Sequence, residues 1–197
     1  MKRQIEKRTE GILRFFTPEL YIRFGSDDDA EADAADEAWE MAIKAYDQHL
    51  GAIRKRLPRS AVALSELCLH DWEVLAFDKQ NLNGDELFPS HESFPPRMEL
   101  RAAGFSLQNG QLITDLIYIL ADRIRKSRGK KHKQFSEESK LWLYDEVDAF
   151  DDVPGASVHR ILLSDGSEIE IPFYTVIIRK FSVHQNGRSK KTRGTAP

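Results

Sequence analysis

Apolar residues recur every three or four positions along the first part of the chain, and from about His70 onward they alternate or come in short runs closed by turn residues. A change of period from helical to strand-like predicts an α+β fold, with N-terminal helices packed on a mainly antiparallel sheet of about six strands. The pattern places one domain over 1–183, with a helical part at 15–69 and a mainly β part at 70–183. Residues 184–197 are rich in Gln, Asn, Gly, Arg, Ser and Lys, which predicts a disordered basic tail. Residues 1–14 read as a loosely held start.

Thr17-Pro18-Glu19 is a helix entry: threonine caps the first amides, proline suits the first helical position, and glutamate suits the positive end of the dipole. Gly25 ends that short helix. Ser26 opens a longer one, with Asp29 in the capping-box place. Trp39, Ile43, Tyr46, Leu50, Ile53 and Leu57 then trace one apolar stripe, and Pro58 closes it. The stripe suits packing on the domain's own core. The same Trp39–Leu57 surface also suits a homodimer seam, although about three heptads is marginal for an independent coiled coil. Val62, Leu64, Leu67 and Leu69 predict a third helix over 60–69.

Strands are predicted over 73–78, 98–102, 105–107, 141–147, 158–163, 168–173 and 174–181. Asn109-Gly110 and Ser164-Asp165-Gly166-Ser167 are hairpin signals. The run 112–120 is nearly all apolar and favours a strand, yet Ile113, Leu116, Ile117, Leu120 and Ile124 also trace a helical face, so both readings stay open. Pro172, with no amide to donate, predicts a sheet edge or a strand end.

Net charge is −3, so no global field draws the chain to nucleic acid or membrane. The charges are nevertheless segregated. Asp27, Asp28, Asp29, Glu31, Asp33, Asp36, Glu37 and Glu40 form an acidic block, and Arg123, Arg125, Lys126, Arg128, Lys130, Lys131 and Lys133 a basic one. Cys68 is the single cysteine, which excludes an intrachain disulfide and fits a reducing compartment. No apolar run reaches the roughly 20 residues of a membrane span. The expectation is a cytoplasmic protein with no membrane partner.

Candidate chemistry is thin. Cys68, His70 and Asp71 could form a thiol–imidazole pair, but such near-neighbours rarely achieve the mutual geometry; a corner-capping role suits His70 and Asp71 better. His70, Asp71, His91, Glu92 and His159 lack metal-ligand spacing. The stretch 78–90 fails as a calcium loop because Lys79 and Ser90 stand where carboxylates are required. Asp145 and Glu146 point to opposite faces of a strand, and Glu146 and Asp148 share a face that reads as solvated. The basic loop 126–133 and the tail 188–193 could touch phosphates, but no nucleic-acid motif accompanies them. Neither a catalytic residue, a cofactor nor a metal ligand is therefore assigned. Asp27, Asp28 and Asp29 are explained by the helix dipole. Asp33, Asp36, Glu37 and Glu40 are not, and they are predicted to face a basic protein partner.

Phe16-Thr17-Pro18-Glu19-Leu20-Tyr21, Leu69-His70-Asp71-Trp72-Glu73-Val74 and His159-Arg160-Ile161-Leu162-Leu163-Ser164-Asp165-Gly166 resemble segments of uncharacterised bacterial proteins. The middle piece resembles the Leu-His-Asp strand entry of small α+β families, some labelled toxin-immunity proteins. The last resembles the hairpin that closes their sheets. The resemblance implies a binding protein rather than an enzyme and carries over no active-site residue. The expected function is a protein-interaction module of the immunity-inhibitor type. The alternatives are a small hydrolase or metal-assisted enzyme centred on His70, Asp71 and His159, and a nucleic-acid binder using the basic loop and tail.

Overall fold

The computed structural model describes residues 11–80, 96–106, 110–129, 131–136 and 140–183. Helices α1 (Pro18–Phe24), α2 (Asp29–Ile53) and α3 (Arg59–Ser65) come first. Strands β1 (Glu73–Gln80), β2 (Arg97–Ser106), β3 (Gly110–Leu120), β4 (Arg125–Lys126), β5 (Trp142–Ala149), β6 (Ser157–Leu163) and β7 (Glu168–Val183) follow. All pairings are antiparallel, in the order β1-β2-β3-β7-β6-β5, with β4 also on β7. The α+β architecture is thus as the change of apolar period predicts.

The helix boundaries differ from the pattern in explicable ways. The cap of α2 is Asp28, which accepts the amides of Ala30 and Glu31 at 3.0 and 3.2 Å. A carboxylate is the better partner for those amides, and Ser26 instead donates its hydroxyl to Glu31. The stripe runs on to Leu57, but the helix stops at Ile53, four residues before the break that Pro58 imposes on Leu57. A tight turn follows, in which Leu57 donates to Arg54, and Leu57 still reaches the core. Helix α3 ends at Ser65, so Cys68 lies beyond it and is exposed.

The run 112–120 is strand β3, paired on both sides. The 98–102 and 105–107 segments fuse into β2, whose pairing with β3 brings Ser106 opposite Gly110; residues 107–109 of the predicted turn lie outside the described residues. The predicted strands 168–173 and 174–181 are one strand, β7, and Pro172 lies inside it rather than at an edge. Tolerance comes from a change of partner. β7 pairs with β6 over Glu168–Phe173 and with β3 from Phe173 onward. The tail 184–197 and residues 1–10 lie outside the described residues.

The sheet curls until its two ends meet. Trp142 donates its amide to Trp72 at 2.8 Å, Asp71 donates to Trp142 at 2.8 Å and Val74 to Lys140 at 2.7 Å, joining β5 to the start of β1. Asp71 takes a left-handed backbone at this seam, φ 64°, a conformation that aspartate tolerates. Inside the curl, Ala61 and Leu64 of α3 pack with Leu100, Leu116, Tyr118, Trp142, Ile161 and Phe173. Outside it, Trp39, Ile43 and Tyr46 of α2 pack on Leu143 and Leu162, with Leu13 and Phe16 between. The β5–β6 region is therefore buried on both faces, and the Trp39–Leu57 stripe is spent on the domain's own sheet.

Candidate interaction surface

Helix α2 is held on the sheet by more than apolar contact. The Tyr46 hydroxyl accepts the Val147 amide at 2.7 Å and donates to the Val147 carbonyl at 3.4 Å, taking the place of a further strand at the β5 edge. Burial pushes the Tyr46 phenol far up, so it keeps its proton for that bond. One turn on, His49 Nε2 meets Asp148 at 2.9 Å. The inner face of α2 is thereby fixed, and the outer face is left to solvent.

That outer face carries Asp33, Asp36, Glu37 and Glu40, all exposed, at spacings of three, one and three that place them on one side of the helix. None of the four forms an ion pair or hydrogen bond with a described residue. Met41 on the same side is 63% exposed, and Phe24 beside Trp39 is 49% exposed. Some other acids are matched. Asp115 receives both a 2.6 and a 2.9 Å bond from Arg101, Glu66 one from Arg54, and Asp27 is paired with Lys133. The hydrogen bond and charge of Lys133 hold Asp27 below the usual carboxylate range, while Arg101 does the same for Asp115.

The other sequence candidates fall into three places. His159 lies on the inner face, fully buried, with Nδ1 2.7 Å from the Tyr118 hydroxyl and Nε2 3.0 Å from Asp145. Trp142 Nε1 donates to the other Asp145 oxygen at 2.9 Å. His70 lies at the seam, its Nδ1 2.8 Å from Asp71 and its ring 4.8 Å from that of Tyr144, which packs on the outer face. His70 and Asp71 thus do not converge with His159. Among the basic block, Arg125 is paired with Glu170 and Lys133 with Asp27, and Lys130 lies outside the described residues, as do His91 and Glu92. No cluster of three metal-ligating side chains occurs among the described residues.

The face shared by Glu146 and Asp148 is not solvated, contrary to the strand pattern. Glu146 is 1% and Asp148 6% exposed. Glu146 accepts the amides of Arg14, Phe15 and Phe16, and Glu168 accepts those of Ile12 and Leu13 at 2.7 and 3.0 Å. Residues 11–16 are therefore a firmly held strap, not a loose start. Asp148 gathers Arg14, His49 and Arg160, and Arg160 also reaches Glu170 at 3.1 Å. These acids hold the fold together.

No family model, curated protein or solved structure matches this chain.

Proposed function

We propose that the protein is an interaction module that presents the outer face of α2 to a basic protein partner, in the manner of an immunity-type inhibitor. The observation that carries this reading is the concentration of charge: Asp33, Asp36, Glu37 and Glu40 stand together on the outer face of α2, with no ion pair to a described residue, while the inner face is locked to the sheet. Like charges on adjacent turns repel and cost stability, so the free fold gains nothing from the cluster. A cationic surface would relieve the repulsion and speed encounter. The exposed Met41, four residues after Glu37 on α2, supplies apolar contact that charge alone lacks.

The test is a pull-down from the native host at low and moderate salt, with wild type and a variant carrying Asp33→Lys, Asp36→Lys, Glu37→Lys and Glu40→Lys. A stoichiometric basic partner captured by wild type and lost by the variant supports the reading. A partner retained by the variant, or none at either salt, removes it.

A further inference from the structure

At the end of the curled sheet beside the α3–β1 link lies a cavity of about 150 Å³. Leu67, Leu69, Leu112 and Trp72 give it apolar walls. The Trp72 indole lies across β2 at Gly104, where any side chain would displace it. Two polar groups reach the cavity from adjacent strands. Thr114 is completely buried, and its Oγ1 has no hydrogen-bond partner among the described residues. Lys180 is its cross-strand partner, so the hydroxyl and the ammonium stem from neighbouring positions on one face. Lys180 forms no ion pair with a described residue, whereas Glu66, the cavity's one carboxylate, is engaged by Arg54 at 2.6 Å. The uncompensated charge at the cavity is therefore positive.

We infer that this cavity binds a small organic anion, a monocarboxylate with an apolar body about the size of benzene. A cavity of about 150 Å³ with aliphatic and aromatic walls holds such a body. The carboxylate would accept from Thr114 Oγ1 and pair with Lys180, giving the buried hydroxyl the partner it lacks. The site is separate from the α2 surface, and neither proposal depends on the other.

The exposed thiol of Cys68 at the cavity is the chain's single cysteine, so its alkylation reads occupancy without labelling elsewhere. Full-length protein is titrated with sodium benzoate and with neutral benzamide by calorimetry, and Cys68 alkylation by iodoacetamide is timed with and without each. Benzoate is expected to bind saturably one to one, to slow alkylation and to bind more tightly than benzamide. Lys180→Met should weaken benzoate about twofold to fivefold, the yield of a partly exposed ion pair, and remove its advantage over benzamide. Thr114→Val should weaken it further. No saturable binding, equal affinity for both probes, unprotected Cys68 at saturation, or unchanged affinity in Lys180→Met would each overturn the assignment.

Discussion

The Tyr118 hydroxyl and His159 Nδ1 lie 2.7 Å apart in the wholly buried interior, and Asp145 holds the other ring nitrogen at 3.0 Å. With a carboxylate on Nε2, the neutral imidazole carries its hydrogen there and leaves Nδ1 as the acceptor for the phenol; this tautomer is assigned from the network. Burial, followed by the charge of Asp145, pushes the Tyr118 phenol well up, so it remains the donor. Tyr118→Phe would strand Nδ1 and should cost about 1–3 kcal/mol in urea unfolding. His70→Ala, at an exposed seam position, should change stability by less than about 0.5 kcal/mol. Equal losses in the two variants would contradict the separation of inner and outer histidines.

The strap offers a sharper test. Glu146 accepts three amides from it while 1% exposed. Glu146→Gln keeps the size but turns an amide group, with two donors of its own, toward those N–H groups. A loss of about 2–4 kcal/mol is expected. Limited trypsin digestion should then cut after Arg14, a bond that stays protected in the wild type.

Acid should act through Asp148. Burial raises its carboxyl, but the hydrogen bond and charge of His49, the Ala149 amide and Arg160 outweigh that, and the net shift is downward. A carboxyl lowered in the folded state contributes stability above its unfolded value of about 3.9, and loses it as pH falls through the folded value. Asp148→Asn should therefore be less stable than wild type at neutral pH. The gap between their urea midpoints should narrow as pH drops below about 4. A gap constant from pH 7 to acid would rule out this linkage.

Thr114 predicts a gain. Its buried hydroxyl lacks a partner among the described residues, and valine has nearly the same shape. Thr114→Val should raise stability of the ligand-free protein by about 1 kcal/mol, or roughly 2–4 °C in Tm for a chain of this size. A calorimetric scan showing a lower Tm would mean that the hydroxyl is satisfied in solution.

What the chain discloses by pattern is what local periodicity governs. The 112–120 run became β3, and the Trp39–Ile53 stripe became the inner face of α2. The buried acids were illegible for a physical reason. Glu146, Asp148 and Glu168 alternate with apolar residues as solvated positions do; the strap's amides, more than 100 residues away in sequence, convert Glu146 and Glu168 into core, and the side chains of Arg14, His49 and Arg160 do the same for Asp148. Pro172 misled because an edge is one way to accommodate a missing donor, and a change of partner midway along a strand is another. Thr114 and Lys180 carry no motif, and they are joined only by the β3–β7 register.

The strap also sets an order of events at the ribosome. Ile12 is bound by Glu168, 156 residues later in the chain. At a synthesis rate of about 5–20 residues per second, Gly11–Phe16 emerges roughly ten to thirty seconds before its second anchor exists. Throughout that interval Leu13 and Phe16 have no completed surface to cover and stay open to nascent-chain chaperones. The strap therefore docks only after strands made more than 100 residues later have formed.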